Sequence, residues 1–284
     1  MHAFDYAAQK RGLNKTAKDY PERAEVFRDI NAMLIERLQL LKLAPTRILD
    51  LGAGTGQLSR ELLKIYPKAR VYCLDLAEER LKVAYGKRKW FRQQHYVCGD
   101  MHTLPFSGES FDLVISNLTW HWADHLHQAI YEAKRVLKLN GQLLFTSFGP
   151  DTLRELRASF AAASENPHVH SFLDMHDVGD ALLKAGLADP VMDSEHLSHR
   201  VPTIKMLLTF IQSIGESNYM DLRSRTVLGK KRFAAMQEYY EQFREDGKLP
   251  VSLEVVFGYA WRKQELSSQL ENGDIAVPLS VLKR

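Results

Sequence analysis

The chain has 284 residues, of which 45% are hydrophobic, so it is long enough to bury a sizeable core as one large or two modest domains. Its 38 Lys and Arg residues nearly balance its 35 Asp and Glu residues, and a net charge of +3 gives no reason to expect nucleic acid as an obligatory partner. The N-terminus has no basic and then apolar leader, and no run of about 18 apolar residues occurs, which predicts a cytoplasmic protein without a membrane span.

The two cysteines, Cys73 and Cys98, stand alone within apolar runs rather than in a C-x-x-C arrangement. This spacing favours small core residues in a reducing compartment over a disulfide or a zinc site. No metal site is therefore predicted.

The N-terminal part has a helical pattern. Apolar residues recur at intervals of three and four over residues 14–43, which predicts one amphipathic helix that ends near Pro45. Strand and helix patterns then alternate, and the predicted elements are the strands Arg47–Leu51, Arg70–Leu74, His95–Cys98, Phe111–Ser116 and Gln142–Phe148 and the helices Gln57–Ile65, Ala77–Tyr85 and Leu126–Leu137. This alternation predicts a parallel sheet with right-handed crossovers, covered by helices on both faces.

After Phe148 the alternation stops, because two predicted helices, Pro150–Ala163 and Asp174–Ala185, follow each other directly. The remaining predicted elements are a short strand at Val191–Glu195, helices at Ile204–Ile214 and Lys231–Phe243, and a long last strand at Val251–Trp261. The expected organisation is one domain over 1–284, with a helical segment at 1–44, a core at 45–149, a helical insertion for substrate or partner at 150–250 and a last strand at 251–262.

Three glycines follow the first predicted strand. Gly52, Gly54 and Gly56 alternate with small residues just after Asp50. Glycine permits positive φ and has no Cβ, so a ligand can lie against such a backbone. The spacing differs from the dinucleotide fingerprint and from the phosphate-binding P-loop, and the strand-borne Asp50 favours a cationic ligand over a pyrophosphate. The pattern indicates a nucleotide-type binding loop.

Polar residues end the next strands as well. Asp75 ends the second, Asp100 and Met101 follow the third, and Asn117 follows the fourth, close to the aromatic group Trp120–Trp122. Because the carboxyl ends of parallel strands meet at one edge of a sheet, we expect these side chains to share a site. Two carboxylate oxygens at Asp75 suit a ribose diol, and Asp100 with Met101 offers a polar contact and an apolar wall for adenine.

The segment Leu49–Gly56 resembles the first motif of the class I S-adenosylmethionine-dependent methyltransferases. The resemblance implies a doubly wound, Rossmann-like α/β fold with a seven-stranded, mostly parallel sheet whose last strand is antiparallel, and an N-terminal helical lid. It also implies S-adenosylmethionine as the cofactor. The residues that would bind it are Asp50, Gly52, Ala53, Gly54, Gly56, Asp75, Leu76, Asp100, Met101 and Asn117.

Other segments are similar to the malonyl-acyl-carrier-protein O-methyltransferase family of biotin synthesis. They are Phe111–Leu118 with Trp122, Phe148–Arg157, Pro167–Val169, Met175–Leu182 and Leu249–Trp261. The resemblance covers nearly the whole chain, although Ala53 stands where many relatives have Cys and His121 where Gln is usual. It implies methylation of the free carboxylate of malonyl-acyl-carrier protein, or of malonyl-CoA, by a monomeric enzyme without a nucleic-acid or membrane partner.

Such a reaction needs no general base, since a carboxylate is already ionised at pH 7. The predicted substrate contacts are a hydrogen bond from Tyr20 and steering by Arg154 or Arg157. A packing role for Tyr20 and a solvated position for the arginines are the alternatives. His121 has no proton to remove and is interpreted as part of an aromatic wall.

A basic cluster in the last third of the chain is the predicted contact for the acidic carrier protein. It consists of Arg223, Arg225, Lys230, Lys231 and Arg232. An ordinary solvated helix flank is the alternative.

Two other functions remain open at this stage. One is a methyltransferase acting on a quinone or another small molecule, in which a base near Trp120 would deprotonate the acceptor. The other is a non-catalytic assembly factor that binds the cofactor without transferring its methyl group.

Overall fold

The computed structural model describes residues 5–17, 25–89, 93–213, 229–263, 268–269 and 275–276. The strands are β1 (Arg47–Leu51), β2 (Arg70–Asp75), β3 (Gln94–Cys98), β4 (Phe111–Ser116), β5 (Leu137–Phe148), β6 (Ala188–Val201), β7 (Leu249–Trp261), β8 (Ser268–Gln269) and β9 (Ile275–Ala276). The helices are α1 (Tyr6–Lys15), α2 (Glu25–Leu40), α3 (Gln57–Ile65), α4 (Glu78–Gly86), α5 (Leu126–Val136), α6 (Arg154–Ala163), α7 (Met175–Lys184), α8 (Ile204–Ser213) and α9 (Lys230–Glu241). Within those ranges, no helix combines the length and apolar character that a bilayer crossing requires.

Strands β1 to β7 form one sheet in the order β3-β2-β1-β4-β5-β7-β6. The pairs β1–β2, β2–β3, β1–β4 and β4–β5 are parallel, whereas β7 is antiparallel to both β5 and β6. The chain reverses its strand order between β1 and β4, and ligands of open α/β sheets bind at this kind of switch point. The predicted α/β fold with a seven-stranded, mostly parallel sheet is confirmed.

Helices cover both faces of the sheet. Because successive side chains of a strand point to opposite faces, neighbouring residues of β1 pack into different clusters. Ile48 of β1 packs into a cluster that includes Leu34 of α2 and Leu62 of α3. The next residue, Leu49, packs into the cluster on the other face, which includes Ile130 of α5. A strand buried on both faces therefore needs apolar residues at consecutive positions, as Ile48 and Leu49 show in β1.

The single helix predicted over residues 14–43 is wrong. The first helix, α1, ends at Lys15 and the second, α2, begins at Glu25, with residues 18–24 outside the described ranges. The sequence between them contains Pro21, which lacks the N–H donor that an uninterrupted helix needs. The apolar periodicity belongs to α2, and α1 was not predicted as a separate helix.

The short strand predicted at Val191–Glu195 is a 14-residue strand, β6, at the edge of the main sheet. The region after Phe148 is thus not purely helical. Side chains of β6 are mostly exposed or half-buried, so its sequence carries little apolar signal. Pairing with the buried strand β7 from Ala188 to Val201 determines its length.

Candidate active site

The glycine loop joins β1 to α3 and is tied to the end of β2. The backbone N–H groups of Gly52 and Ala53 both donate to the carbonyl oxygen of Leu74, at 2.8 and 2.9 Å. Positive φ values of 79°, 54° and 77° occur at Gly52, Gly54 and Gly56. Side chains rarely adopt this conformation, so the backbone path itself favours glycine at all three positions.

Gly52 has a second reason to lack a side chain. A Cβ at this position would lie 2.0 Å from Oγ1 of Thr119, in the loop that follows β4. The sequence pattern predicts that the missing Cβ gives a ligand access to the backbone, but Thr119 fills that space. Gly52 therefore lets two loops of the site pack together.

Asp75 ends β2 and is only 5% exposed. Its Oδ2 accepts a hydrogen bond from the N–H of Gly54 at 2.8 Å, and its Oδ1 accepts one from the N–H of Ala77 at 2.8 Å. Each carboxylate oxygen has a second lone pair for a further donor. Asp75 is thus fixed by the glycine loop while it keeps capacity to bind hydroxyl groups.

Asp50, in β1, is 1% exposed and accepts a hydrogen bond from the hydroxyl of Ser59. The pKa of Asp50 is raised to about 7. Burial is the largest cause and the charge of Asp75 adds to it, while the hydrogen bond from Ser59 opposes them. A positively charged ligand group beside Asp50 would stabilise its ionised form. The site therefore has a buried acceptor whose ionised form a cation would stabilise, and its role in cofactor binding stays a prediction.

Two adjoining cavities open at the carboxyl edge of the sheet. The first holds about 760 Å³ of empty space, open solvent at its mouth included, and is lined at the strand ends by Gly52, Asp75, Leu76, Asp100, Met101 and Asn117. The second holds about 490 Å³ on the same basis and is lined there by Asp50, Gly52, Ala53, Gly54 and Asn117. The structure thus brings together all the predicted cofactor residues except Gly56, which lies at the N-terminus of α3.

The polar groups after β3 and β4 are held in place by their neighbours. Oδ1 of Asp100 accepts a hydrogen bond from the N–H of His102 at 2.9 Å and lies 2.7 Å from Nδ1 of the same histidine. This contact holds the pKa of Asp100 below its usual range. Oδ1 of Asn117 accepts a hydrogen bond from Oγ1 of Thr146 at 2.5 Å. The rim of the first cavity is therefore preorganised.

The N-terminal helices supply a wall of the site, as the predicted helical lid implies, through residues that were not predicted. Cavity-lining residues from α1 are Tyr6, Gln9 and Leu13, and those from α2 are Phe27 and Asn31. One usable signal was Asp5, whose Oδ1 accepts a hydrogen bond from the N–H of Ala8 at 2.8 Å. An aspartate in this position is a typical helix N-cap.

Helix α1 is attached at both ends. At its start, the hydroxyl of Tyr6 donates to Oδ1 of Asp124 at 2.5 Å, and burial together with Asp124 raises the pKa of Tyr6 well above its ordinary value. Near its end, Oδ1 of Asn14 accepts a hydrogen bond from the N–H of Glu79, at 3.0 Å, in the first turn of α4. These contacts hold α1 over the first cavity.

Two buried amide oxygens, in residues that line these cavities, lack a hydrogen-bond partner in the described part of the chain. They are Oε1 of Gln9, in a residue 3% exposed, and Oδ1 of Asn31, in a residue 5% exposed. A buried polar group left unpaired costs about 1–3 kcal/mol, and nearly all such groups in folded proteins are paired. The cavities therefore contain acceptors that match donors on a ligand.

An aromatic wall lies beside the first cavity, which Trp122 and Phe148 line. The ring of His121 is 5.3 Å from that of Trp122 and 5.0 Å from that of Phe148, centroid to centroid, and His121 is 6% exposed. The structure thus buries His121 among aromatic rings, which is compatible with the wall role predicted for it.

The predicted substrate contacts lie elsewhere. Tyr20 is outside the described residues. Arg154 has a side chain 58% exposed and pairs with Glu155 at 3.3 Å, in a groove separate from the two cavities. Arg157 donates to the carbonyl oxygens of Pro150 and Thr152 at 2.8 and 2.9 Å. Neither arginine is among the described residues that line the cavities, and their contact with substrate stays a prediction.

Comparisons with known proteins agree with this geometry. Residues 49–145 match the family described as "Methyltransferase domain". The chain is 16% identical to the YcgJ protein from Bacillus subtilis, whose crystal structure superposes with a TM-score of 0.59 over 82% of this chain and 98% of that one. That likeness shows the fold.

The curated relatives are more similar. A Malonyl-[acyl-carrier protein] O-methyltransferase from Gallionella capsiferriformans is 39% identical over 91% of each chain. One of the same name from Legionella pneumophila is 41% identical over 89% of each chain. The chain therefore belongs to the malonyl-[acyl-carrier protein] O-methyltransferase family of S-adenosylmethionine-dependent enzymes.

Proposed function

We propose that this protein methylates the free carboxylate of a malonyl group carried by acyl carrier protein, giving a methyl ester that primes pimeloyl synthesis for biotin. The observation that supports this substrate most strongly is the identity of 39–41% to relatives of that name over about nine-tenths of both chains. A cytoplasmic, monomeric enzyme without a nucleic-acid or membrane partner is part of the proposal.

The residues around the two cavities fit S-adenosylmethionine. The cofactor has an ammonium group, two ribose hydroxyls and an adenine amino group, all of which donate hydrogen bonds. Asp50 and Asp75 are buried acceptors at the carboxyl edge of the sheet, and Gln9 and Asn31, whose side-chain oxygens have no partner among the described residues, line the same cavities. When bound, the cofactor supplies an electrophilic methyl group on a positively charged sulfur.

The protein does not have to remove a proton from the acceptor. A carboxylate with a reference pKa near 4 is ionised at pH 7 and is already a nucleophile. The site must instead orient the carboxylate toward the methyl group, and orientation contributes up to about 7–11 kcal/mol in favourable cases. A buried His121 beside the cavity is then a wall and not a base.

The site must also exclude water from the carboxylate oxygen. Leu13 and Phe27, from α1 and α2, cover the cavities from one side. Trp122 and Phe148 close another side. An apolar enclosure of this kind weakens the hydration of the nucleophile while the acceptors named above bind the cofactor.

The acidic carrier protein would contact the basic cluster at the start of α9. Lys230, Lys231 and Arg232 are exposed there, while Arg223 and Arg225 lie outside the described residues. Cations at a helix N-terminus are unfavourable for the helix dipole, so an anionic partner would relieve this cost. Changing Lys230, Lys231 and Arg232 together to Gln should raise the KM for carrier protein several-fold at low salt and little at high salt. An equal effect at both salt concentrations would contradict this docking surface.

Arg154, Arg157 and Tyr20 remain proposed substrate contacts. Arg154 has the exposed, partly paired guanidinium expected of a steering charge. Burial lowers the pKa of Arg157. Its two hydrogen bonds to the carbonyl oxygens of Pro150 and Thr152 would also support the loop after β5.

The test is incubation of the protein with methyl-labelled S-adenosylmethionine and malonyl-acyl-carrier protein, with acetyl-acyl-carrier protein as the control. The label should appear on the malonyl species as a base-labile ester and be absent from the acetyl species. A parallel reaction with malonyl-CoA shows whether the enzyme requires the carrier protein or also accepts the malonyl thioester of CoA. Cofactor binding without any label on malonyl-acyl-carrier protein would reject the proposal.

A further inference from the structure

The two unpartnered amide oxygens lie at different places along the site. Gln9, on α1, lines the first cavity together with Asp75 and Asp100. Asn31, on α2, lines the second cavity together with Asp50 and Gly54. The cavities adjoin, so a ligand that fills both would contact the two helices at different points along its length.

An amide oxygen accepts hydrogen bonds from N–H and O–H groups only. The first cavity contains the carboxylates suited to a nucleoside, whose donors are hydroxyl groups and an amino group. The second contains the buried Asp50 and the glycine loop, which suit the charged amino-acid end of the cofactor. The strongest donor there is an ammonium group with three N–H bonds.

We propose that the side-chain oxygen of Asn31 accepts a hydrogen bond from the α-ammonium group of the cofactor, while that of Gln9 accepts one from a donor on the nucleoside. Helices α1 and α2 then recognise opposite ends of one ligand. This inference depends on cofactor binding and not on the identity of the methyl acceptor.

The surroundings of Asn31 support the assignment. Asp50 lines the same cavity and has a raised pKa because its charge is buried. An ammonium group between Asn31 and Asp50 would pair with the oxygens of both and remove the cost of that buried charge. The attachments of α1 at Tyr6 and Asn14 likewise hold Gln9 over the nucleoside side before any ligand binds.

The test is calorimetric binding of two ligands to the intact protein. S-adenosylhomocysteine contains both ends of the cofactor, whereas 5′-methylthioadenosine contains the nucleoside and lacks the amino acid. Asn31→Leu should weaken binding of S-adenosylhomocysteine about 10- to 100-fold and change binding of 5′-methylthioadenosine less than twofold. Gln9→Leu should weaken both ligands by a similar factor, about 2- to 10-fold.

The matched control is Gln39→Leu, which removes an exposed amide at the end of α2 away from both cavities and should change neither affinity. Thermal unfolding without ligand separates binding from folding. Replacing an unpaired buried amide by an apolar side chain of similar size should leave the melting temperature unchanged or raise it.

The proposal is overturned if Asn31→Leu weakens both ligands equally or neither, because the oxygen would then not contact the amino-acid end. It is likewise overturned for Gln9 if its variant binds both ligands as the wild type does. A large fall in melting temperature in either variant would show that the amide is paired within the protein and would also reject the assignment. Malonyl-acyl-carrier protein is absent from these measurements, so failure of methyl transfer to it has no bearing on their outcome.

Discussion

The two walls of the cofactor cavities are built differently. One wall is the carboxyl edge of the sheet, where Asp50, Asp75 and Asn117 come from or directly follow strands that are paired in register. The other wall consists of α1 and α2, which come before β1 in the chain and place Gln9 and Asn31 beside the cavities. Strand direction fixes the first wall, whereas docking of separate helices fixes the second. Variants in the two walls should therefore fail in different ways.

The largest effect is expected at Gly52. Gly52→Ala combines a side chain at φ 79° with a Cβ 2.0 Å from Thr119, so we expect a loss of about 2–5 kcal/mol in the free energy of unfolding. Urea unfolding measures this loss. Gly86→Ala is the control, because no atom of the described residues beyond its own helix backbone and chain neighbours lies within 4 Å of a Cβ there, and it should change stability by less than about 1 kcal/mol.

Adding Thr119→Gly to Gly52→Ala should restore part of the lost stability, since it removes the steric overlap and leaves the backbone strain. No recovery at all would show that Thr119 is not the reason for glycine at this position.

The second-largest effect is expected on ligand affinity, and it is tested with two aspartates at opposite edges of the sheet. Asp75→Asn removes a charge and points an amide toward the N–H of Gly54 or Ala77, so S-adenosylhomocysteine should bind about 10- to 100-fold more weakly. Asp112→Asn is the control at the start of β4, where Asp112 accepts the N–H of Thr46 at 2.8 Å. It should lower thermal stability and leave affinity unchanged. Equal affinity losses in both variants would indicate a general folding effect.

The third effect is a pH dependence from Asp50. Its pKa of about 7 means that acid protonates it and removes the charge that favours a cation. Affinity for S-adenosylhomocysteine should therefore fall by up to about tenfold per pH unit below 7. Asp50→Asn should bind weakly at every pH and show a flat profile. A slope that persists in this variant would show that Asp50 is not the group responsible for the pH dependence.

The stability of the ligand-free protein should depend on pH in the opposite direction to the ligand affinity. The folded pKa of Asp50 lies above its ordinary value of 3.8, so its stabilising contribution is full below pH 3.8 and is lost as the pH rises through about 7. Asp50→Asn should therefore stabilise the ligand-free protein more at pH 8 than at pH 5, as thermal unfolding at the two pH values would show.

The smallest effect tests the attachment of α1. Tyr6→Phe removes the hydrogen bond to Asp124, worth about 1 kcal/mol at a partly buried site, so backbone amides of α1 should exchange with deuterium about fivefold faster. Tyr131→Phe is the control because Tyr131 is 55% exposed on α5. An unchanged rate of amide exchange in Tyr6→Phe would show that the hydroxyl of Tyr6 does not hold α1 in place.

Most of the fold was predictable because it depends on local patterns. The bounds of β1, α3 and β4 match the predicted ranges residue for residue. The length of β6 was not predictable, since its half-exposed side chains give little apolar signal and β7 supplies its pairing partner. Helix α1 was not recognised as a separate helix for a related reason, because its polar sequence has only two buried residues, Gln9 and Leu13.

The strand-end half of the site follows from local sequence patterns. Asp50, the glycines and Asp75 lie next to recognisable strands, and parallel strands must bring their carboxyl ends together. Tertiary structure alone decided the other half. No local pattern indicates that Thr119 fills the space above Gly52, or that Gln9 and Asn31 line the cavities with buried side-chain oxygens that have no partner among the described residues. Such contacts join segments far apart in the chain, so they depend on how helices dock and not on the order of residues within any one element.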